Sequence, residues 1–367
     1  MEAVYSEKRD CSGCAACRDI CPALAIEMRP DEEGFLYPDI DQDSCLDCGA
    51  CISACPLNTA GNFKHSREPV FYVARHKSDD VLKASTSGGA FTALSDAVLR
   101  TGGTVYGADF DEDFRVTHKC ANTPAERDRM RFSKYVQSDL RPVFNQLGSD
   151  LESGRPVLFT GTPCQTAAIR SRFQDHPHSN NLYICDLICH SIPSPRIWAD
   201  YVKLLEREAG GRMTAIQFRS KKYAWSRANS NKGLMYRIEG EDGLREDDRF
   251  YQLFIQKNLI SRPSCHHCRF TDIHRCADIT IADYFGIEEF EPNWYDPLGV
   301  SLILVNSPRG RQLLEWSAGD INLEQRAGAE ALSQQKRLSA PGAEPELRKK
   351  FWEIYLAKGL EEALNLA

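Results

Sequence analysis

Hydrophobic positions follow two different patterns along the chain after residue 70. Short runs rich in β-branched and aromatic residues predict strands, whereas two longer amphipathic stretches predict helices. The predicted strands are FYVARH, GTVYGADF, PVLFTG, NLYICDLICH, DITIADYFG and SLILVN. The predicted helices are AFTALSDAVLR and PSPRIWADYVKLLEREAG. Because strands and helices alternate, we expect a larger α/β domain in this part of the chain.

The two ends of the chain follow other patterns. Near the start, AIEMRPDEEGFLYPDIDQDS predicts two short strands joined by a polar turn, and the polar stretch LNTAGNFKHSREP follows it. Near the end, apolar residues at helical spacing predict a C-terminal helix packed on the main domain: Phe351, Ile354, Tyr355, Leu360, Ala363 and Leu364. We therefore expect an α+β protein with a small domain over residues 1–65, an α/β domain over 66–340 and a helical tail over 341–367.

Composition excludes several classes of function. A net charge of −7 on 367 residues gives no broad cationic field for nucleic acid. We find no apolar run long enough to span a membrane and no signal-peptide pattern at the start. Fifteen cysteines in such a chain indicate metal binding rather than disulfides. We expect a protein of a reducing, anaerobic cytoplasm.

Eight of these cysteines form two runs of identical spacing, C-x2-C-x2-C-x3-C followed by proline. Two-residue gaps let one loop wrap three thiolates around a cubane, and the fourth cysteine reaches the other cluster. The spacing therefore predicts two [4Fe–4S] clusters. Their ligands are Cys11, Cys14, Cys17 and Cys55 for one, and Cys45, Cys48, Cys51 and Cys21 for the other. Zinc is the alternative, but it does not require a duplicated run of four with proline.

Seven cysteines remain outside these runs. They are Cys120, Cys164, Cys185, Cys189, Cys265, Cys268 and Cys276. Several follow predicted strands or form a C-x2-C pair, and strand ends meet on one face of an α/β sheet, so a third metal centre is predicted. A zinc site of Cys265, Cys268, Cys276 and His274 is the alternative. Cys120 and Cys185 are best interpreted as buried thiols.

Two glycine-bearing turns precede helices. Ser87, Gly88 and Gly89 form the first, and Gly161 and Thr162 belong to the second. Each turn is suited to present backbone N–H groups to an anion, or simply to begin a helix. Neither matches G-x-G-x-x-G or a Walker loop, so a standard dinucleotide site or NTPase is not predicted.

Six segments occur in the order found in coenzyme F420 hydrogenase/dehydrogenase beta subunits. They are STSGGAFTAL, FSKYVQSDL, GTPCQTAAIR, ICHSIPSP, SCHHCRF and ADITIADYFG. The chain resembles this family over about residues 70–310, and its first part resembles two-cluster ferredoxins. The resemblance implies FAD and a third [4Fe–4S] cluster. The implied cluster ligands are Cys164, Cys189, Cys265 and Cys268, with Cys185 or Cys276 as alternatives to Cys189.

The resemblance also implies the residues that contact FAD. They are Ser87, Gly88, Gly89, Lys134, Tyr135, Gln137, Ser138, Gly161, Thr162, Gln165 and Asp283. Lys134 would pair with the pyrophosphate or the reduced flavin. The chemistry is centred on the flavin, and no catalytic side chain is assigned. The segment FRSKKYAWSR, from Phe218 to Arg227, is not tied to the family and is interpreted as a solvated surface loop.

Three functions are consistent with these features. The first is an FAD-dependent iron–sulfur oxidoreductase that moves electrons between a hydride donor or acceptor, such as coenzyme F420 or another small molecule, and the ferredoxin clusters. The second is an electron-carrier subunit without a substrate site. The third is a ferredoxin-dependent reductase of a metabolite. The expected partners are a redox protein or catalytic subunit and a small molecule, and a homo-oligomer remains open.

Overall fold

The computed structural model describes residues 4–59, 64–65 and 67–366. The domain boundary predicted between residues 65 and 66 falls at residue 66, which lies outside the described residues. The middle of the polar stretch that precedes the larger domain, residues 60–63, lies outside them as well.

The N-terminal part is built from two similar halves. Strands β1 (Ile26–Pro30) and β2 (Leu36–Ile40) pair antiparallel. Helix α1 (Ala16–Asp19) contains the third cysteine of the first run, and α2 (Ala50–Ser53) contains the third cysteine of the second. This is the strand, turn and strand arrangement that the sequence predicts between the two cysteine runs.

An eight-stranded sheet forms the larger domain. Its order is β13-β3-β12-β11-β7-β6-β4-β5. The strands are β3 (Val70–His76), β4 (Thr104–Phe110), β5 (Val116–Ala121), β6 (Val157–Gly161), β7 (Leu182–Leu187), β11 (Ile279–Asp283), β12 (Ser301–Val305) and β13 (Ile321–Arg326). Strands β11, β7, β6 and β4 run parallel, and the others are antiparallel to their neighbours. All six predicted strands are present in this sheet.

Helices and a small sheet surround the large sheet. The helices are α3 (Asp79–Lys83), α4 (Ala90–Arg100), α5 (Pro124–Asp128), α6 (Phe144–Glu152), α7 (Pro163–Phe173), α8 (Pro195–Ala209), α9 (Arg249–Tyr251), α10 (Ile287–Phe290), α11 (Pro308–Ser317) and α12 (Gly328–Gln334). The small sheet consists of β8 (Met213–Gln217), β9 (Met235–Ile238) and β10 (Arg245–Glu246). Both predicted helices are confirmed as α4 and α8. Helix α8 begins where the Ser194 hydroxyl accepts the N–H groups of Arg196 and Ile197.

The C-terminal tail is two helices rather than the single helix that the sequence predicts. Helix α13 (Arg348–Lys358) ends at Gly359, whose φ of +86° interrupts the helix before α14 (Leu360–Leu364). Phe351 and its neighbours pack in one apolar cluster with α8. Arg348 also binds both carboxylate oxygens of Glu33 in the turn between β1 and β2. The tail therefore contacts the N-terminal part as well as the larger domain.

The helices share one further property. In the described part of the chain, none combines the length and the apolar composition needed to cross a bilayer.

Candidate redox site

Four cysteines lie together on the buried side of the N-terminal part. Cys14, Cys17 and Cys55 are buried, and Cys11 is half-buried. Burial, with the negative charges of Cys55 and Cys11, raises the pKa of Cys14 to about 12. Burial and neighbouring thiolates also raise the pKa of Cys17 and Cys55. This group, the inner set, joins the fourth cysteine of the second run to the first three of the first run.

The other four cysteines of the two runs lie together at the surface. Cys21, Cys45, Cys48 and Cys51 all line one small cavity. Cys48 is exposed, whereas the other three are half-buried. Burial, then the charges of Cys45 and Cys21, raises the pKa of Cys51. This group is the outer set, and it has the crossed membership that the spacing predicts.

Arg262 connects the inner set to the larger domain. Its side chain is buried and donates to the backbone oxygens of Cys11 and Leu36 at 2.7 and 2.9 Å. It also donates to the side-chain oxygen of Gln137 at 3.1 Å and lies over the Tyr37 ring, 4.3 Å from the centroid. Arg262 immediately precedes the 3-10 helix Pro263–His267, so this contact fixes the inner set beside that helix.

Four cysteines from three separate segments come together next to this helix. Cys164 lies in the first turn of α7, Cys189 follows β7, and Cys265 and Cys268 lie in or just after the 3-10 helix. Burial raises the pKa of Cys189, and the charges of the other three cysteines raise it further. Burial and two of the same neighbours raise the pKa of Cys265 to about 12. This group, the third set, contains the four cysteines that the family resemblance implies.

Cys276 and His274, the other ligands of the alternative zinc site, are not part of the third set. Burial raises the pKa of Cys276 to about 11, and the neighbour that adds to this shift is Asp186 rather than a thiol. His274 faces Asp272 at 3.2 Å. Among residues 4–59, 64–65 and 67–366, no three His, Cys, Asp or Glu side chains are arranged to hold a single ion. A cubane presents a separate iron to each thiolate, so its ligands do not converge in that way.

Two cysteines were interpreted as buried thiols. Cys185 is buried in β7, and Cys120 is half-buried in β5 beside Tyr106 and Asp150. Burial raises the pKa of both. Neither pKa shift has a thiol among its main causes.

A cavity of about 590 Å³ lies at the edge of the large sheet where the parallel strands end. Its walls include Gly161 at the end of β6, Leu187 at the end of β7 and Asp283 at the end of β11. This volume is in the range of small-molecule sites, about 300 to 1,000 Å³. Cys189 also lines the cavity, so the cavity and the third set share a wall.

Nine of the residues that the resemblance implies for FAD line this cavity. They are Ser87, Gly89, Lys134, Tyr135, Ser138, Gly161, Thr162, Gln165 and Asp283. Gly88 and Gln137 do not. A Cβ atom on Gly88 would approach the backbone nitrogen of Ser301 to 2.5 Å, so this glycine is required for packing against β12. Gln137 instead donates to the backbone oxygen of Ser12 at 3.0 Å, which joins the two parts of the molecule.

Cations predominate on the cavity wall. They are Arg131, Lys134, Arg219, Arg227, Lys336 and Arg337. The two carboxylates of the wall are already paired, Asp283 with Arg219 at 2.6 Å and Asp186 with Arg275 at 3.0 Å. Lys134 donates to the backbone oxygens of Arg129 and Arg131, and burial lowers its pKa to about 7. The cavity is therefore suited to an anionic ligand.

Polar atoms in the cavity wall remain without partners. Asp186 Oδ1 and His190 Nε2 are buried and form no hydrogen bond among the described residues. Burial lowers the pKa of His190 to about 4, so its ring is neutral near pH 7. His118 is satisfied, with Nδ1 2.6 Å from Ser138 Oγ and Nε2 2.9 Å from the Thr160 oxygen. Unpaired buried atoms are rare, and these two indicate a ligand with polar groups.

Backbone strain occurs in the same wall. Phe132 has a φ of +64° and Arg219 a φ of +54°, although neither is glycine. Non-glycine residues in this region cluster at binding sites because the surrounding structure holds them there. Phe132 and Arg219 are therefore a further sign of a functional cavity.

Sequence reasoning missed several of these residues. The sequence predicts a solvated surface loop from Phe218 to Arg227, but Arg219 and Arg227 of this loop line the cavity. Asp186 lies near the carboxyl end of a buried parallel strand, which is a position where ligands bind. Its place in the strand pattern is therefore sufficient to predict it as a residue of the site. Lys336 and Arg337 carry no signal in the sequence.

Comparison with known proteins agrees with this organisation. Residues 10–59 match the 4Fe-4S dicluster domain. Residues 154–328 match the family model for the C terminus of the coenzyme F420 hydrogenase/dehydrogenase beta subunit. The first match defines an iron–sulfur domain of the dicluster ferredoxin class. After that domain, nearly half of the chain is similar to the C terminus of the coenzyme F420 hydrogenase/dehydrogenase beta subunit.

The relatives cover parts of the chain. The ferredoxin-type protein NapF of Haemophilus influenzae is 42% identical over 45 residues, which is 12% of this chain and 26% of that protein. An uncharacterised ferredoxin of Methanocaldococcus jannaschii is 35% identical over 55 residues, 15% of this chain and 70% of that protein. The chain thus spans about a quarter of NapF. A chain of the F420-reducing [NiFe] hydrogenase complex from Methanosarcina barkeri matches with a TM-score of 0.48 and 16% identity, over 83% of this chain and 91% of that one.

Proposed function

We propose that this chain is a flavin-dependent oxidoreductase that moves electrons between a small hydride donor or acceptor and its iron–sulfur clusters. The observation that carries this proposal is the shared wall between the 590 Å³ cavity and the third set, formed at Cys189. A bound FAD supplies the conversion between a two-electron hydride and single electrons. The small molecule is coenzyme F420 or another hydride carrier.

The cavity fits a flavin dinucleotide by the chemistry of its wall. Six cations line the wall and favour a pyrophosphate-bearing ligand, although one of them, Arg219, is paired with Asp283. Asp186 Oδ1 and His190 Nε2 offer unused polar atoms to the edge of a ring system. An anion in the cavity would raise the pKa of Lys134 above its value of about 7. Lys134 Nζ would therefore carry a positive charge beside that anion.

The third set fits a cubane because it offers four thiols from three segments and no fifth ligand. In this proposal Cys164, Cys189, Cys265 and Cys268 hold one cluster, the inner set holds the second and the outer set holds the third. Arg262 lies between the third set and the inner set. The resulting order from cavity to surface is the third set, the inner set and then the outer set with exposed Cys48.

Flavin content tests the proposal directly. The protein is purified without oxygen, denatured, and the supernatant is analysed for FAD. About one FAD per chain is expected, either as isolated or after incubation with FAD. A set of anaerobic hydride donors is then added, and loss of flavin absorbance with one of them identifies the small molecule. Failure to release or take up any flavin would contradict the proposal.

Lys134→Met, with Lys119→Met as its matched control, tests the assignment of the cavity. Lys119 lies on β5 and pairs with Asp109 at 3.0 Å outside the cavity wall. Losing one charged contact to phosphate is expected to weaken FAD binding about tenfold to a hundredfold in Lys134→Met only. Each lysine also donates to backbone oxygens, so both variants are expected to lose some stability, and circular dichroism checks that both remain folded. Equal FAD affinity in both variants would remove Lys134 from the site.

A further inference from the structure

The face around the outer set carries the two most exposed large hydrophobic side chains of the described residues. Leu24 is 85% exposed and Leu46 is 67% exposed. Leu46 lines the cavity of the outer set, and Leu24 follows Pro22 and Ala23 of the same cavity. Single exposed apolar residues are common on protein surfaces, but these two lie on one face beside the same four cysteines.

Leu24 is held in this position by a strained backbone. Its φ is +54°, a conformation that leucine rarely adopts, and its N–H donates to the Cys21 oxygen at 3.2 Å. Asp47, on the other side of the cavity, also has a positive φ of +50°. Turns around the cysteines explain part of this strain, but they do not explain why the residue at position 24 is a leucine facing solvent.

Carboxylates lie near this apolar centre. Of the seven Asp or Glu between residues 30 and 63, four pair with basic side chains, which leaves Asp41, Asp43 and Asp47. Asp41, Asp43 and Asp47 are exposed beside the outer set. Neither Asp43 nor Asp47 forms a side-chain ion pair with any described residue. The face therefore has an apolar centre, an exposed cysteine and an acidic rim.

We propose that this face, defined by Leu24, Leu46, Asp43 and Asp47, is the docking surface for a one-electron carrier protein with an apolar centre and a basic rim. Small, transient interfaces with complementary charge are typical of electron-transfer partners. Nucleic acid and anionic lipid would be repelled by the same carboxylates. A second copy of this chain would place like charges opposite each other across an isologous contact, which is unfavourable.

The proposal uses the dicluster domain and does not depend on flavin. In the test, the protein is reduced with dithionite, desalted without oxygen and mixed with ferric cytochrome c, a basic one-electron protein used as the probe. One electron leaves the protein and reduces the ferric haem to ferrous, and no bond or proton changes. The rate is measured by stopped flow from about 10 mM to about 300 mM salt, over which charge steering is lost. Binding is measured separately by calorimetry with oxidised protein and ferrous probe.

The wild-type rate is expected to fall steeply as salt rises. Asp43→Asn/Asp47→Asn is expected to lower the rate and the affinity about fivefold to tenfold at low salt and to flatten the salt dependence. The control, Glu112→Gln/Asp242→Asn, removes the same net charge from two exposed turns of the larger domain and is expected to keep the wild-type rate. Leu46→Ser is expected to weaken binding at high salt, where charges are screened.

Two further measurements keep the outcome unambiguous. Iron content and the rate with ferricyanide, a small anion, show that each variant still holds and discharges its clusters. If Asp43→Asn/Asp47→Asn loses iron, Asp41→Asn/Asp43→Asn replaces it, because both residues lie outside the cysteine loop. Equal loss in the rim and control variants would overturn the proposal. So would a wild-type dimer in sedimentation that Leu46→Asp converts to a monomer, since the occupant would then be a second copy.

Discussion

The two cysteine loops of the N-terminal part have the same spacing and opposite surroundings. In the first loop, Ser12 and Gly13 are covered by the larger domain, with Arg262 and Gln137 against them. In the second loop, the equivalent residues Leu46 and Asp47 face water. The cysteines decide which thiols come together, whereas the residues between them decide which loop is covered and which remains accessible.

The N-terminal part therefore has one loop covered by the larger domain and one loop exposed to solvent. The covered loop contacts Arg262, which also lies near Cys265 of the third set, and the exposed loop lies at the surface. A duplicated sequence thus has two halves with different neighbours. The following predictions test that difference, beginning with the largest expected effect.

Cys164→Ala removes one ligand of the third set, which is expected to lie beside the covered loop. If the third set holds a cubane, the iron content of Cys164→Ala is expected to fall from about twelve to about eight atoms per chain, because each cubane has four irons. Cys276→Ala is the matched control, since Cys276 is also buried but its pKa shift has no thiol among its main causes, and it is expected to keep all the iron. Iron and inorganic sulfide are measured on protein purified without oxygen. Unchanged iron in Cys164→Ala, or one equivalent of zinc in the wild type, would contradict the third cluster.

Arg262→Gln weakens the contact that covers the first loop. The backbone oxygens of Cys11 and Leu36 lose charged donors, and leaving such groups unpaired is expected to lower the free energy of unfolding by about 3 kcal/mol. Arg29→Gln is the control, because Arg29 lies on β1 with exposed partners and is expected to leave the midpoint unchanged. Anaerobic urea unfolding followed by tryptophan fluorescence measures both. Equal midpoints would show that the first loop does not depend on this arginine.

Gly13→Ala and Gly49→Ala compare the two loops with one chemical change. Both glycines have positive φ, 69° and 72°, so both substitutions are expected to strain the backbone by about 1 kcal/mol. At Gly13 the new Cβ also approaches an Arg262 nitrogen to 2.7 Å and the Leu36 oxygen to 2.9 Å, whereas nothing lies within 4 Å at Gly49. Gly13→Ala is therefore expected to lose about 2 kcal/mol and Gly49→Ala about 1 kcal/mol. The same urea experiment measures both, and the reverse order would contradict the covered position of the first loop.

Leu46→Ser is expected to have the smallest effect. Its side chain is 67% exposed, so stability is expected to change by no more than about 0.5 kcal/mol and iron content not at all. Iron analysis and urea unfolding measure the outcome. A large loss of stability would mean that Leu46 packs against another part of the protein, and the second loop would no longer be the exposed one.

Local patterns predicted much of this molecule. The strands of the large sheet, helices α4 and α8 and the grouping of the first eight cysteines follow from periodicity and spacing, which act over a few residues. The single C-terminal helix was wrong because Gly359 interrupts it, and a glycine in such a pattern marks a helix end.

Other features depend on residues far apart in the chain and have no local signal. Gln137 was expected in the cavity, but it binds Ser12, 125 residues away. Arg262 was not predicted at all, because its partners Cys11 and Leu36 lie more than 200 residues earlier. The placement of Cys189 in the third set comes from family resemblance, with Cys185 and Cys276 as alternatives, because spacing alone does not link Cys189 to the other three cysteines.

The pair formed by Arg348 and Glu33 also has a consequence for how the protein is made. These residues are 315 positions apart, so the hairpin turn that contains Glu33 leaves the ribosome long before its partner exists. Chains fold from the N-terminus during synthesis. The hairpin turn between the two cysteine runs therefore reaches its final contacts only after α13 has been synthesised, so the start of the chain depends on its end.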